Sequence, residues 1–374
     1  MLYESLVISV LVVALGNSSS YSECNVSINI NVLIIYGSIF VSLPIFSDVL
    51  AAQDRIADII TPTPIVTSSL LNSWLGHRVL FKAECLQRTG AFKLRGASNF
   101  LLKYQAEHGL PKHVVANSSG NHAQAVAYAG AQLGVPVTVF STENISTVKA
   151  AATKSYGASL QLYPNRPEAD SAVQAAAEND GVVWIPPFNH ADIIAGQGTA
   201  SAEAILQAQE QNTQLDAIFA PCGGGGLVSG ALLAAQGLSP STAVIGVEPE
   251  AANDASISLQ QNAIYTLPET PVTLADGAAT PAVGSLTFEF LKQLDGFYEV
   301  NETQIAYWTQ WLHHLLKLHI EPTCCMTMAG VVAWLSEQTS PKTVMVILSG
   351  GNISSIAMQN IHQQDYLEQP PYLT

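Results

Sequence analysis

Four short segments hold residue types that could do chemistry, and one lysine stands at the centre of them. Lys93 lies in Thr89-Gly90-Ala91-Phe92-Lys93-Leu94-Arg95-Gly96-Ala97, in the first turn of an expected helix after a glycine-containing loop. The positive end of a helix disfavours an ammonium there, and burial disfavours it further. Both effects push Lys93 toward the neutral amine that condenses with a carbonyl. Taken alone, a lysine on an amphipathic helix is more commonly a solvated surface residue. The chemical reading therefore depends on the other three segments.

The second segment, Asn117-Ser118-Ser119-Gly120-Asn121-His122-Ala123, joins an apolar strand to a helix start. Successive backbone N–H groups at such a turn bind a carboxylate or phosphate, and Ser118, Ser119 and Asn121 add side-chain donors; ordinary helix capping uses the same residues. The third segment is Pro221-Cys222-Gly223-Gly224-Gly225-Gly226-Leu227. Its glycines let the backbone wrap an anion in front of a helix N-terminus. No Lys-Ser/Thr pair follows, and Ser229 stands where a dinucleotide fingerprint needs its third glycine, so a single phosphate of a compact cofactor fits better than a nucleotide. The fourth segment, Leu348-Ser349-Gly350-Gly351-Asn352, follows the last apolar strand and offers a neutral hydroxyl at the sheet end where ligands sit.

The elements that must position these segments alternate in type. Apolar runs at residues 79–81, 114–116, 137–140, 159–162, 182–184, 217–220, 244–247 and 344–348 are expected strands. Helical spacing appears at 48–60, 92–107, 121–133, 147–156 and 168–178. That alternation predicts an α/β fold of parallel sheets with helices on both faces. No linker rich in Pro and Ser separates two halves, so two interwoven lobes are expected: a large domain from residues 48–112 and 191–374, and a small mobile domain from 113–190. The chain has 374 residues, 14 basic and 29 acidic, for a net charge of -15. Such a field repels phosphate backbones and excludes nucleic acid as a natural partner. The five cysteines form no C-x-x-C pair, which points to a reducing, cytoplasmic setting. Residues 1–47 hold two apolar runs, at 6–15 and 32–46, with no Lys or Arg. Each run is shorter than the roughly 20 residues a helix needs to cross a bilayer, so translated sequence upstream of the true start is preferred to a membrane anchor.

With these four segments in this order, the chain resembles the fold type II pyridoxal-phosphate enzymes, the tryptophan-synthase-β-like architecture, and within them the threonine/serine dehydratase and serine racemase group. The resemblance covers nearly everything after residue 46. It implies that Lys93 is the Schiff-base lysine, that Gly223, Gly224, Gly225 and Gly226 hold the phosphate of pyridoxal 5'-phosphate, and that Phe92 packs on its ring. Asn121 would bond the ring hydroxyl and Ser349 would meet the pyridine nitrogen. Ser118, Ser119, Asn121 and His122 would receive the substrate carboxylate, and Ser119 would carry the second proton in racemising members. Glu248 and Asp254, with the carbonyl of Ala252, resemble a divalent-cation site suited to Mg2+ or Ca2+. A homodimer is common in the family. Ala91 departs from the usual serine before Phe-Lys, and Cys324-Cys325 stand where small residues are usual.

The reaction expected is β-elimination from L-threonine or L-serine to a 2-oxo acid and ammonia. A neutral Ser349 at the ring nitrogen favours expulsion of the leaving group over transamination. Serine racemisation and hydroxyaspartate deamination are the alternatives within this chemistry. A carboxylate-specific basic residue would mark the latter; Arg166 has no assigned place. From another class, a non-enzymatic cofactor-carrying or anion-sensing protein would keep the glycine loop without needing Lys93.

Overall fold

The computed structural model describes residues 33–36, 39–118 and 120–372. It divides into two compact units, one ending at Ser42 and the other running from Leu43. In the first unit, Leu33–Tyr36 pairs antiparallel with Ile39–Ser42. The apolar run at 6–15 lies outside the described residues. No helix among the described residues is long and apolar enough to cross a membrane.

The second unit holds two sheets. The larger has the strand order Gly296–Val300, Ala243–Pro249, Ala217–Pro221, Thr343–Ile347, Arg78–Lys82, Ile65–Thr67. Its strands run parallel except the last, which is antiparallel to its neighbour. The smaller sheet has the order Ser159–Tyr163, Val137–Thr142, His113–Asn117, Val182–Trp184, all parallel. The central strands are continuous apolar runs, as burial on both faces demands; Ala217–Pro221 is buried throughout. The chain leaves the larger sheet through the helix Lys93–His108, builds the smaller sheet, and returns through the helix Ala191–Glu210. These two helices pack on each other, and one apolar core joins them to the smaller sheet: Leu94, Leu101 and Ile193 share a cluster with Val114, Val126 and Val139. A second core, built round Phe81, Phe219, Val247, Trp308 and Trp311, joins strands of the larger sheet to the helix Glu302–Leu316.

Helix ends follow local chemistry. Asn165 caps Arg166–Ala177 by accepting from the Glu168 N–H at 3.0 Å, and Asn301 caps Glu302–Leu316 in a reciprocal pair with Gln304. The helix expected at 48–60 runs instead over Phe46–Ile56, and the next residues turn back on its end, with Ile59 N–H at 2.9 Å and Ile60 N–H at 3.1 Å from the Ile56 carbonyl. The edge strands Ile65–Thr67 and Gly296–Val300 carry no sequence signal, because they are short and only partly buried.

Close helix packing explains two glycines. A Cβ on Gly230 would lie 2.5 Å from the Gly198 nitrogen and 2.8 Å from the Ile194 oxygen, so Ala191–Glu210 and Gly226–Leu238 touch backbone to backbone. Since rigid main chain cannot yield as a side-chain tip can, Gly230→Ala should lower stability by about 2 kcal/mol. The urea midpoint measures this, and an unchanged midpoint would mean that the two helices are free to part.

Candidate active site

The loops at the C-terminal ends of the strands converge on one pocket. Phe92, Lys93, Ser118, Asn121, His122, Gly223, Gly224, Gly225, Gly226 and Ser349 all line it. Ser119 lies outside the described residues. Glu248, Ala252 and Asp254 sit elsewhere, at and past the end of the neighbouring strand Ala243–Pro249.

Lys93 is the first residue of its helix. Its loop is zipped to the Ser349 turn: Phe92 N–H donates to the Ser349 carbonyl at 3.0 Å, and Gly351 N–H to the Gly90 carbonyl at 2.9 Å. Asn352 Nδ2 adds a bond to the Thr89 carbonyl at 2.9 Å. The amine and the Ser349 hydroxyl are thus fixed by one backbone frame. Lys93 Nζ donates to the Pro187 carbonyl at 2.6 Å, and no carboxylate among the described residues is paired with it. Part of the side chain faces the pocket, yet protein surrounds the amine at depth, and that depth governs its solvation. Burial pulls its pKa down to about 7.

Behind Lys93, Arg95 anchors the helix start. Its guanidinium meets Glu84 bidentately, both bonds at 2.8 Å, and reaches Glu203 at 3.2 Å. Lys82 joins Glu203 from the adjoining strand and donates to the Thr63 carbonyl at 2.7 Å. Two cations and two carboxylates are thereby balanced out of water, the condition for burying them.

The glycine loop is held from outside and left bare within. Thr287 Oγ1 donates to the Gly224 carbonyl at 2.7 Å, and Cys222 N–H to the Val247 carbonyl at 2.8 Å. No acceptor among the described residues meets the backbone N–H groups of Gly223, Gly224, Gly225 or Gly226. Gly225 has φ +88°, and a Cβ on Gly224 would fall 2.3 Å from the Phe188 ring. Side chains would close this cradle, so glycine is what keeps it open.

On the opposite wall, Ser118 Oγ accepts from Gly120 N–H at 3.1 Å. His122 Nε2 bonds the Ile185 carbonyl at 2.9 Å, which leaves the buried Nδ1 without a partner among the described residues. Burial, and then the nearby Lys93, push the imidazole down to about 3, so His122 is neutral. Asn121 uses both ends of its carboxamide: Nδ2 donates to Glu321 Oε2 at 2.8 Å, and Oδ1 accepts from Asn352 at 2.8 Å.

The pocket is also lined by Lys149, Arg166, Asp276 and Glu321, which sequence reasoning does not place in it. Lys149 Nζ donates to Asp276 at 2.6 Å and lies 3.6 Å from Glu321. Arg166 is conspicuous in the sequence only as the lone arginine of its lobe, and Glu321 only as the residue before Pro322-Thr323 at a short helix start. Neither Lys149 nor Asp276 has a local signal.

A family model described as pyridoxal-phosphate dependent enzyme matches residues 56–350. The chain belongs to that family. As a pyridoxal-phosphate dependent enzyme it is 42% identical to the L-threo-3-hydroxyaspartate ammonia-lyase of Saccharomyces cerevisiae, over 83% of this chain and 94% of that protein. It is 37% identical to the serine racemase of Schizosaccharomyces pombe, over 83% and 95%. Among solved structures, the threonine deaminase of T.th. superposes with a TM-score of 0.78 at 40% identity, over 83% and 99%. The fold expected from the motifs is the fold found, since these structural neighbours are fold type II enzymes.

The residues of this pyridoxal-phosphate dependent enzyme fit the family's cofactor. The unpartnered N–H groups of the glycine loop suit a phosphate, the buried Lys93 amine suits an aldehyde, and Ser349 offers a neutral hydroxyl. The Glu248 oxygens accept from Ser256 N–H at 2.7 Å and Ala255 N–H at 3.3 Å, while buried Asp254 Oδ2 has no partner among the described residues. Burial raises Glu248 to about 9 and Asp254 to about 7. Among the described residues no group of three or more His, Cys, Asp or Glu side chains could hold a metal, so any cation here would rest on two carboxylates and main-chain or water oxygens.

In the cofactor-free protein, Lys93 should be acylated by an amine-selective reagent with a half-maximal rate near pH 7, in place of the ordinary 10.5. The folded chain releases this proton well before the unfolded one, so reactivity gained between about pH 6 and 8 is the sign to look for, read by peptide mass spectrometry. Labelling that rises only above about pH 10 would mean that the amine stays charged in its pocket.

Proposed function

We propose that this enzyme is a pyridoxal-phosphate-dependent ammonia-lyase that removes the β-hydroxyl and amino groups of a small hydroxy amino acid, releasing a 2-oxo acid and ammonia. The observation that carries this reading is the buried Lys93 amine, poised near pH 7 and framed rigidly against Ser349. Lys93 would hold the cofactor through Nζ, Gly223, Gly224, Gly225 and Gly226 its phosphate, and Phe92 its ring face. The bound cofactor supplies an electron sink for charge developing at Cα. Lys93 Nζ, set free when the substrate's amino group replaces it, would take the Cα proton, because an amine with a pKa close to the working pH is an effective base. Ser118, Ser119 and His122 receive the substrate carboxylate; His122 contributes as a neutral ring. Ser349, a hydroxyl and not a carboxylate, would give the cofactor's ring nitrogen no fixed negative partner, which would favour prompt loss of the β-hydroxyl.

One feature favours hydroxyaspartate over the serine and threonine placed first from sequence. Arg166 Nε meets Asp170 at 3.3 Å, but its terminal nitrogens have no acceptor among the described residues. Asp170 is held by Asn117 Nδ2 at 2.5 Å, and Asn117 by Trp184 Nε1 at 2.9 Å. The guanidinium is thus braced from behind at the pocket wall, with its planar fork open to a second carboxylate. Lys149 is already matched by two acids, so Arg166 is the cation left to read one. Two relatives carry the name L-threo-3-hydroxyaspartate ammonia-lyase, which agrees with this reading.

Glu248, Asp254 and the Ala252 carbonyl would hold Mg2+ or Ca2+, which would supply the charge that the unpartnered Asp254 oxygen lacks. The four described cysteines are free thiols, in keeping with a cytoplasmic enzyme, and the family resemblance implies a homodimer.

Borohydride reduction of the holoenzyme should fix the cofactor on the peptide bearing Lys93; a cofactor found on another lysine, or none, would remove the lyase reading. Arg166→Gln should lower kcat/KM for L-threo-3-hydroxyaspartate by about 100-fold and leave L-serine within about threefold. An equal fall for both substrates would deny Arg166 the role of carboxylate reader. Chelation should lower the thermal midpoint of the holoenzyme and added Mg2+ or Ca2+ restore it, whereas Asp254→Asn should respond to neither.

A further inference from the structure

Glu321 has no part in the roles assigned so far, yet among the described acids of the larger lobe it alone contacts two separate elements of the smaller one. It precedes the short helix Pro322–Cys325, and its side chain is buried. Its backbone N–H donates to the Gly350 carbonyl at 2.9 Å, which ties it to the turn bearing Ser349. Oε2 accepts from Asn121, the first residue of the helix Asn121–Gln132. Oε1 has no hydrogen bond among the described residues and lies 3.6 Å from the Nζ of Lys149, on the helix Thr147–Ser155. Lys149 is itself buried and completes its pairing with Asp276. A Cβ built on Gly120 would lie 3.9 Å from Nζ, so the ammonium borders the loop proposed to take the substrate carboxylate. Among the described residues, Lys149 is the only member of Thr147–Ser155 with a side-chain hydrogen bond into the larger lobe.

We propose that Glu321 is a positioning residue that couples seating of the smaller lobe to the cofactor's side of the pocket. One oxygen fixes the Asn121 carboxamide. The other, together with Asp276, draws Lys149 and its helix down beside the substrate loop. The effect on catalysis rests on the lyase reading above; the coupling between the lobes does not.

Three substitutions separate these two tasks. Glu321→Gln keeps an acceptor for Asn121 and removes the charge facing Lys149. Lys149→Met keeps the apolar stem and removes the cation. Glu321→Ala removes both functions of the acid. In the holoenzyme, Glu321→Gln and Lys149→Met should each raise KM by about tenfold with kcat within about threefold, and leave the cofactor absorption band in place. Glu321→Ala should in addition shift that band and lower kcat. Hydrogen exchange of residues 147–155 should quicken in all three, whether or not any substrate is turned over. The double variant Glu321→Gln with Lys149→Met should be no worse than either single one, both in KM and in thermal midpoint, because it removes one shared interaction. Fully additive single effects, or unchanged exchange at 147–155, would overturn the coupling. If the wild-type holoenzyme proves inactive on every hydroxy amino acid tried, the lyase reading fails, and the exchange and thermal-midpoint arms still decide the role of Glu321.

Discussion

Burial holds the Lys93 amine down to a pKa of about 7, and much of the surrounding architecture answers to that constraint. Lys93 stands at a helix start, where the main-chain dipole opposes a cation, and its amine meets the Pro187 carbonyl. A carboxylate beside it would favour the ammonium and work against the role proposed for it. Yet Glu84 and Glu203 stand behind the helix start, because Arg95, two residues on, pairs with both. The guanidinium and Lys82 engage both acids fully, so their field is spent locally. Removing one partner from such a set leaves a buried charge uncompensated, at a cost of about 3–5 kcal/mol. The same pairing fixes where the helix begins, and so where Nζ points.

The second constraint is topological. In parallel sheets every strand end of one kind faces the same way, so loops distant in sequence arrive together. The turn after Thr343–Ile347, the glycine loop after Ala217–Pro221 and the loop after His113–Asn117 come from two sheets, and the pocket is where they face one another. The isolated bridge between Ala91 and Gly350 then binds the Lys93 loop to the Ser349 turn. Two helices with backbone-close contacts, Lys93–His108 and Ala191–Glu210, carry the chain between the sheets. They tie the start of the Lys93 helix to the crossing between the two sheets.

Those features are legible in the sequence for definite reasons. Buried parallel strands are unbroken apolar runs, and the loops after them need glycine, serine or asparagine for conformations that other residues resist. Both signals are local. The carboxylates and cations that complete the pocket are not local: Glu321 meets Asn121 and Lys149, and Asp276 meets Lys149, across well over a hundred residues. Before folding, each is one more charged residue with nothing to distinguish it from a solvated one. Arg166 shows the limit most clearly. Its type suggests carboxylate binding, but only the brace of Asp170, Asn117 and Trp184 gives it a direction. The edge strands Ile65–Thr67 and Gly296–Val300 escape notice for a simpler reason, since half-buried edges need no apolar run.

The two pocket cations clarify how charge is divided there. Burial works against the Lys149 ammonium, but Glu321 and Asp276 outweigh it and raise its pKa. Burial likewise raises Glu321, with Lys149 opposing it. These groups settle each other's charge and face across the lobes, so their natural work is to hold parts together. Arg166 shares a single acid through one nitrogen, stays partly open to solvent and lines the pocket. A cation that is fully matched holds structure, and one that is incompletely matched can still recognise a ligand. With His122 uncharged and Lys149 matched by two acids, Arg166 is the described pocket cation left open to a second carboxylate. On the hydroxyaspartate reading proposed above, selectivity for a second acid group would follow from how completely each cation is already paired, and not from the count of cations in the pocket.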